Sequence, residues 1–470
     1  MDILLTHGYF LEEDPREKVV MKPYPPLGIL YISSYLKSKG FDVGVFDSTF
    51  QRMEDFRAYL DARRPSLVGI YCNLMTRTRV LEMIREAKSR GATVIVGGPE
   101  PANYAEEYLS RGADVVVDGE GELTLEELIP HLARHGASGL EGIQGIAYRT
   151  DSGEDRQSLP REKIADLDGQ PYPDRSAISI EQYVDVWRSR HGMGSVSLIT
   201  SRGCPYKCTW CSHSVFGYTH RRRSPENTAD ELELILETYQ PDMVWYADDV
   251  FTINHRWLAV YQQILRQRKI KAPFETISRE DRLNEEVIRT LADMGCFRLW
   301  IGSESGSQEI LDRMKRQTDA GRVREMTHLL GSYGIQTGMF IMLGYEGEEI
   351  SHIEETLDHL KRANPDVFLT TVAYPIKGTP YYETVADRVI PLKPWEDGSD
   401  REQTVSGRQS DRFYRYASRW LVGEMALHRG RTNGPMNPLA YARQFASAKI
   451  GRAGMLLTRS EREERVGVQE

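Results

Sequence analysis

Three cysteines within eight residues, Cys204, Cys208 and Cys211, constrain this chain more than any other feature. They fall in the stretch Ser201-Arg-Gly-Cys204-Pro-Tyr-Lys-Cys208-Thr-Trp210-Cys211-Ser-His213, while the other two of five cysteines, Cys72 and Cys296, stand alone. A disulfide framework wants an even number of cysteines spread through a short secreted chain, so three thiolates this close suit a metal or an iron–sulfur centre better. A structural zinc site closes its tetrahedron with a further Cys or His at short spacing, a part that His213 or His220 can fill in principle. Which chemistry applies depends on the fold that delivers the loop.

The chain has 470 residues, and at the usual ~150 residues per domain that leads one to expect about three domains. In the first, roughly residues 1–135, short apolar runs alternate with amphipathic segments. Strands are expected at 2–5, 41–46, 67–71, 93–96 and 115–117, and helices at 27–38, 53–63, 79–90, 105–111 and 124–133. This α/β alternation indicates a doubly wound, Rossmann-like parallel sheet that binds ligands beyond the carboxyl ends of its strands. The loops at those ends contain Pro25-Pro26, Asn73 to Thr76, Gly97-Gly98-Pro99 and Asp118-Gly119-Glu120-Gly121-Glu122. A segment rich in Gly, Asp and Pro, roughly 136–190, reads as a linker with one possible hairpin strand at Gly145–Tyr148.

The same unit recurs over roughly residues 191–390. Strands are expected at 195–200, 243–246, 274–277, 297–301, 336–343 and 367–373, each but the last followed by helical periodicity. Six such units fit a partial (β/α)6 barrel with its chemistry at the carboxyl ends of the strands. The cysteine loop directly follows the first of them. Beyond it, residues 391–470 form a small helical region: a polar loop at 391–407, a helix at 411–429 with an aromatic face, a second from Leu439 to about Ile450, and a charged tail, 459–470, expected to fray.

Cys-x-x-x-Cys-x-x-Cys with an aromatic before the last cysteine, placed after the first strand of a βα domain, resembles the signature of the radical SAM superfamily. The order Pro25-Pro-Leu-Gly-Ile-Leu-Tyr-Ile-Ser-Ser-Tyr-Leu-Lys37, then Gly97-Gly98-Pro99, then Asp118-Gly-Glu-Gly-Glu122 resembles the class of that superfamily with an N-terminal cobalamin-binding domain. The resemblance implies that Cys204, Cys208 and Cys211 hold three irons of a 4Fe-4S cluster, leaving the fourth to chelate S-adenosylmethionine (SAM). It points to Asp248 or Asp249, Ser278, Arg279, Glu304 and Gly344 as SAM contacts, and to Asn73, Thr76, Gly97, Gly98, Pro99, Gly119 and Glu120 as cobalamin contacts. The Asp-x-His-x-x-Gly pattern that supplies an axial histidine in methionine-synthase-like domains is absent. His7, the only histidine before His131, is expected to serve a turn or the core.

The activity implied is a methyl transfer to an unactivated carbon or phosphorus centre of a small molecule or lipid, through a 5′-deoxyadenosyl radical and methylcobalamin, with flavodoxin or ferredoxin as electron donor. The alternatives are an oxidative cyclase-like reaction without methyl transfer and, in a different class, a cobalamin-binding sensor or carrier. A tRNA methylthiotransferase would want a second cysteine trio upstream, where Cys72 is alone. The net charge of −9 argues against general nucleic-acid binding. The basic run His220 to Arg223 reads as a solvated loop. No run approaches a membrane span, and a cytoplasmic protein with reduced thiols is expected.

Overall fold

The first sheet grows from short β-branched runs whose alternate residues enter opposite cores. The computed structural model describes residues 1–432, 434 and 436–464. Strands β1 (Ile3–His7), β2 (Val43–Phe46), β3 (Leu67–Tyr71), β4 (Thr93–Gly97) and β5 (Val115–Val117) are parallel, in the order β2-β1-β3-β4-β5. Leu4, Val68, Val94, Val96 and Val116 pack on one face with the helices Met53–Arg63 and Arg77–Ser89. Ile3, Leu5, Ile95, Val115 and Val117 pack on the other with Leu27–Ser38 and Gly121–His135. Burial on both faces explains why these strands read as continuous apolar runs.

The expected linker belongs in part to this sheet. Strand β6 (Ile146–Arg149) pairs antiparallel with β5, and β7 (Asp155–Gln157) pairs with β6, so the sheet runs past the boundary expected at 135. A helix, Ile180–His191, then leads into the second domain.

There, β8 (Ser195–Leu198) is followed by two short strands, β9 (Ser201–Arg202) and β10 (Arg221–Arg222), which pair antiparallel and bracket the cysteine loop. The parallel strands continue with β11 (Met243–Tyr246), β12 (Phe274–Ser278), β13 (Cys296–Glu304), β14 (Gln336–Leu343) and β15 (Val367–Val372). Their order β15-β14-β13-β12-β11-β8 is sequential and all parallel, the open form of a six-unit barrel.

Two C-terminal helices, Asp411–Thr432 and Pro438–Leu457, close the core of this domain. Phe413, Trp420, Leu421 and Met425 join the same apolar cluster as Leu299, Ile301 and Ile341, so the aromatic face is core. Residues 391–407, expected as loop, contain part of a small antiparallel pair, Val389–Pro391 with Gln403–Val405. The tail is held as far as Glu463, whose backbone exchanges hydrogen bonds with Gly407 and Arg408. The expected fraying of residues 465–470 lies outside the described residues.

Candidate functional site

The cysteine loop is held from several strand ends at once. At its start Asp248, after β11, accepts from Thr200 N (2.7 Å), Thr200 Oγ1 (2.5 Å) and Ser201 N (3.2 Å). Gly203 has φ +87°, and a Cβ there would run into the Thr219 carbonyl oxygen, so the turn into Cys204 requires glycine. Between the second and third cysteines, Thr209 donates from N and Oγ1 to Met314 O (3.1 and 3.0 Å), shares a 2.6 Å hydrogen bond with Tyr345, and accepts from Tyr381 N (2.8 Å). Trp210 packs on the cluster containing Ile310, Met314, Tyr345 and Tyr381. Sequence spacing had no signal for the Thr209 tethers, because Met314, Tyr345 and Tyr381 lie more than 100 residues away.

Cys208 is buried, with the guanidinium groups of Arg279 and Arg316 at 3.9 and 4.0 Å from its sulfur. The hydrogen bond from Cys211 and the Arg279 charge lower its thiol to about 7, against the opposing effect of burial. The same hydrogen bond and burial raise Cys211 well above the ordinary thiol range, and burial pushes Cys204 up to about 11. A cationic pocket around a thiolate suits an anionic cluster–thiolate centre. Among the described residues no three His, Cys, Asp or Glu side chains are gathered at metal-ligand spacing.

The six SAM candidates divide by whether their polar groups are free. Asp248 is spent on the loop and on Arg222 Nη2 (3.1 Å). Ser278 Oγ shares a hydrogen bond with Thr252 Oγ1 (2.5 Å). Arg279 stacks 3.8 Å over the Tyr206 ring and donates to Asp281 Oδ1 (2.8 Å) and Arg316 O (2.9 Å). Gly344, at φ +74°, lies under the Tyr414 ring and donates its N–H to Glu348 Oε2 (2.6 Å).

Glu304 and Asp249 differ. Glu304 ends β13 at φ +61°, a strained conformation for glutamate, just after a shift in the register with β14. Its buried carboxyl has no hydrogen-bond or ion-pair partner among the described residues, and burial, reinforced by Cys208, pushes it up to about 8. Asp249 opens onto a cavity, although protein surrounds it closely enough that burial and then the Asp248 charge raise its carboxyl. Two unpaired carboxyls beside the cysteines fit a ligand that carries ammonium and sulfonium charges, as SAM does.

Ser303, next to Glu304, is positioned by His359 Nε2 (3.0 Å), whose Nδ1 accepts from Arg324 (3.2 Å). Burial and then Arg324 hold His359 neutral, down to about 4 from the ordinary 6.5. The unfolded chain therefore binds more protons between these values. Stability from this site is complete above pH 6.5 and is lost as pH falls toward 4, by about 3 kcal/mol. Urea unfolding across that range should show the loss in the natural protein, and a His359→Gln variant should lack that part of the slope.

The cavity, of about 840 Å³, lies between the two domains. All seven cobalamin candidates line it: Asn73 and Thr76 after β3, Gly97 at the end of β4 with Gly98 and Pro99 after it, and Gly119 and Glu120 after β5. Gly98, at φ +111°, would drive a Cβ into the Cys72 carbonyl oxygen and against the Tyr71 ring. The opposite wall is Gly203, residues 212–217, Trp245 and Asp249. A largely apolar space of this size, floored by strand ends and roofed by the cysteine loop, fits a large planar cofactor.

Glu120 is less free than its position suggests. Its carboxylate accepts from Arg202 Nη1 (2.7 Å), Arg221 Nη1 (2.8 Å) and Ile164 N (3.0 Å), while Arg202 Nη2 reaches Glu122 (2.7 Å). The basic run is likewise no solvated loop. Arg221 binds Glu120, Arg222 binds Asp248 and stacks 3.7 Å over the Trp257 ring, and Arg223 binds Glu231. Arginines whose carboxylate partners come from several elements are structural, not surface charges. His7 is buried between Asp47 (2.9 Å to Nε2) and Ser48 (3.1 Å to Nδ1), so both ring nitrogens are engaged within the protein.

Comparison with known proteins agrees with this geometry. Residues 18–129 match the B12 binding domain family and residues 198–360 the radical SAM superfamily, together more than half of the chain. An uncharacterized methyltransferase of Pyrococcus horikoshii is 26% identical over 392 residues, 82% of this chain and 83% of that protein. The anaerobic magnesium-protoporphyrin IX monomethyl ester cyclase of Rubrivivax gelatinosus is 25% identical over 380 residues, 78% of this chain and 67% of that protein. In fold, the chain matches the cobalamin-dependent S-adenosylmethionine radical enzyme OxsB, solved with aqua-cobalamin bound. That match has a TM-score of 0.73 and 20% identity, covering 97% of this chain and 72% of that one. With its cysteine loop after the first barrel strand and a B12 binding domain ahead of it, the chain belongs to the radical SAM superfamily, in the class of cobalamin-dependent radical SAM enzymes.

Proposed function

We propose that this enzyme is a methyltransferase acting on an unactivated carbon or phosphorus centre of a small molecule or lipid. The observation that carries the reading is the single cavity that joins the strand ends of the B12 binding domain to the wall formed by the cysteine loop and Asp249. When bound, the reduced cluster with SAM supplies a 5′-deoxyadenosyl radical for hydrogen abstraction, and cobalamin supplies the methyl group. Cys204, Cys208 and Cys211 ligate the cluster, with Arg279 and Arg316 offsetting its negative charge. Glu304 and Asp249 hold the cationic groups of SAM and so orient it. Asn73, Thr76 and the backbone at Gly97, Gly98, Pro99 and Gly119 hold cobalamin against the opposite wall, and the Arg202 and Arg221 pairs with Glu120 keep the two walls in register.

A cytoplasmic setting with a flavodoxin or ferredoxin donor suits this chemistry, because the cluster must be kept reduced. The methyltransferase relative supports the methyl-transfer reading. The cyclase relative supports a second, in which the same cofactors serve an oxidative ring closure without methyl transfer. The two separate in one experiment: the reconstituted enzyme, given reductant and methyl-labelled SAM, is incubated with extracts of cells lacking the protein. Label appearing in a new product, with 5′-deoxyadenosine formed alongside, is the expected result; 5′-deoxyadenosine without labelled product favours the cyclase reading.

A further inference from the structure

The helix Pro438–Leu457 is built inside out. Its buried face is made of small residues, Ala448, Gly451 and Gly454 with Met455, against the helix Asp411–Thr432. A Cβ at Gly451 would lie 2.8 Å from Trp420 Cα, and one at Gly423 would lie 2.8 Å from Ala448 N, so the two backbones nearly touch. The large apolar residues face outward. Leu439 and Leu457 are each 82% exposed, and Phe445, Ile450 and Leu456 between 41 and 47%. At 100° per residue these positions share one side with exposed Ala442, Ala446 and Ala453. A helix needed only to close the core would put its bulk on the other side.

The charges on this helix point to what covers that side. Arg443, Lys449 and Arg452 are exposed, and the helix contains no Asp or Glu. Among the described residues its one ion pair is the exposed contact of Arg452 with Glu354, at 3.4 Å. Over residues 411–459 the chain carries nine Arg and Lys against two Asp and Glu, within a protein of net charge −9. A locally cationic, apolar helix face on an acidic protein is complementary to an anionic bilayer, where the side chains of Phe and Leu enter the acyl boundary and the flanking Arg and Lys reach headgroup phosphates. No described helix is long and apolar enough to cross a membrane.

We propose that the exposed face of Pro438–Leu457 docks this enzyme on an anionic phospholipid surface. The helices run antiparallel, with Gly454 against Tyr416 and Tyr414 against Gly344 after β14. Leu456 and Leu457 therefore meet the bilayer at the end of the barrel that carries the strand-end loops of the site. The docking holds whichever group the enzyme transfers.

Flotation of the full chain with vesicles of phosphatidylcholine, alone or mixed with phosphatidylglycerol, tests this. The protein should float with the mixed vesicles, fail to float with phosphatidylcholine alone, and be released by high salt. Lys449→Glu or Arg443→Glu should weaken binding by about fivefold or more for each cation lost. Phe445→Asp and Leu457→Asp should abolish it, with circular dichroism and gel-filtration volume unchanged because both side chains are exposed. The proposal is overturned if the natural protein floats with neither vesicle, or if these variants float as well as it does. It is equally overturned by a concentration-dependent dimer that Leu457→Asp splits and that ignores vesicles, since a second copy would then cover the face.

Discussion

Cys208→Ala is expected to abolish SAM cleavage altogether while leaving a folded protein. Of the three cysteines, Cys208 alone is both buried and flanked by two guanidinium groups, Arg279 at 3.9 Å and Arg316 at 4.0 Å. A cluster bound by three thiolates and open at its fourth iron has no ligand to spare, and alanine offers no donor. The substitution removes one sulfur from a loop whose backbone is tied down independently, through Thr209 to Met314, Tyr345 and Tyr381 and through Thr200 to Asp248. Fold and cluster therefore separate. Anaerobic reconstitution should give protein with a natural circular dichroism spectrum but without the broad visible iron–sulfur absorption, and chromatography should find no 5′-deoxyadenosine after incubation with SAM and reductant. Cobalamin should still bind, because its candidate contacts lie across the cavity. Normal 5′-deoxyadenosine formation by this variant would refute the assignment of Cys208 to the cluster.

What was legible in the chain was local. Strands β1 to β5 were visible because each is a short, largely apolar run buried on both faces, whereas β7, Asp155–Gln157, is wholly polar and reads as linker. The position of the cysteine loop followed from counting those strands, and the glycines at 97, 98 and 119 sit in a cavity because strand ends of a parallel sheet converge there. Long-range charge was not legible. His220 to Arg223 is a cationic run in sequence, yet Arg221 pairs with Glu120 of the first domain, and Arg222 and Arg223 pair with Asp248 and Glu231 within the second. Glu120 and Asp248 occupy positions that read as ligand contacts, and the structure shows their oxygens already committed to protein donors. Antiparallel β6 was half visible, because Ile146 to Tyr148 is apolar but only the exposed edge of β5 tells it where to pair.

Arg202→Ala should cost more stability than any single substitution at a surface ion pair, and should cost cobalamin with it. Arg202 is almost completely buried and forks between Glu120 and Glu122 of the first domain, at 2.7 Å to each, with its guanidinium 5.2 Å from the Tyr31 ring centroid. Removing it leaves Glu122 buried without its partner and Glu120 held only by Arg221 and one amide. Breaking a buried pair from one side typically costs about 3–5 kcal/mol, because the abandoned carboxylate keeps its desolvation penalty. Chemical denaturation should register that loss. Arg202, Gly203 and Glu120 all line the cavity, so the same substitution loosens both of its walls, and cobalt retained after gel filtration should fall in step with stability. Arg202→Lys should recover little, since one ammonium on a flexible stem cannot hold two carboxylates in a planar fork. A doubly substituted Arg202→Met, Glu122→Leu protein removes the orphaned charge along with its partner, and should regain much of the stability lost by Arg202→Ala. If cobalt retention returns with it, the pair acts by keeping the walls packed; if stability returns and cobalt does not, the arginine itself is required at the cavity.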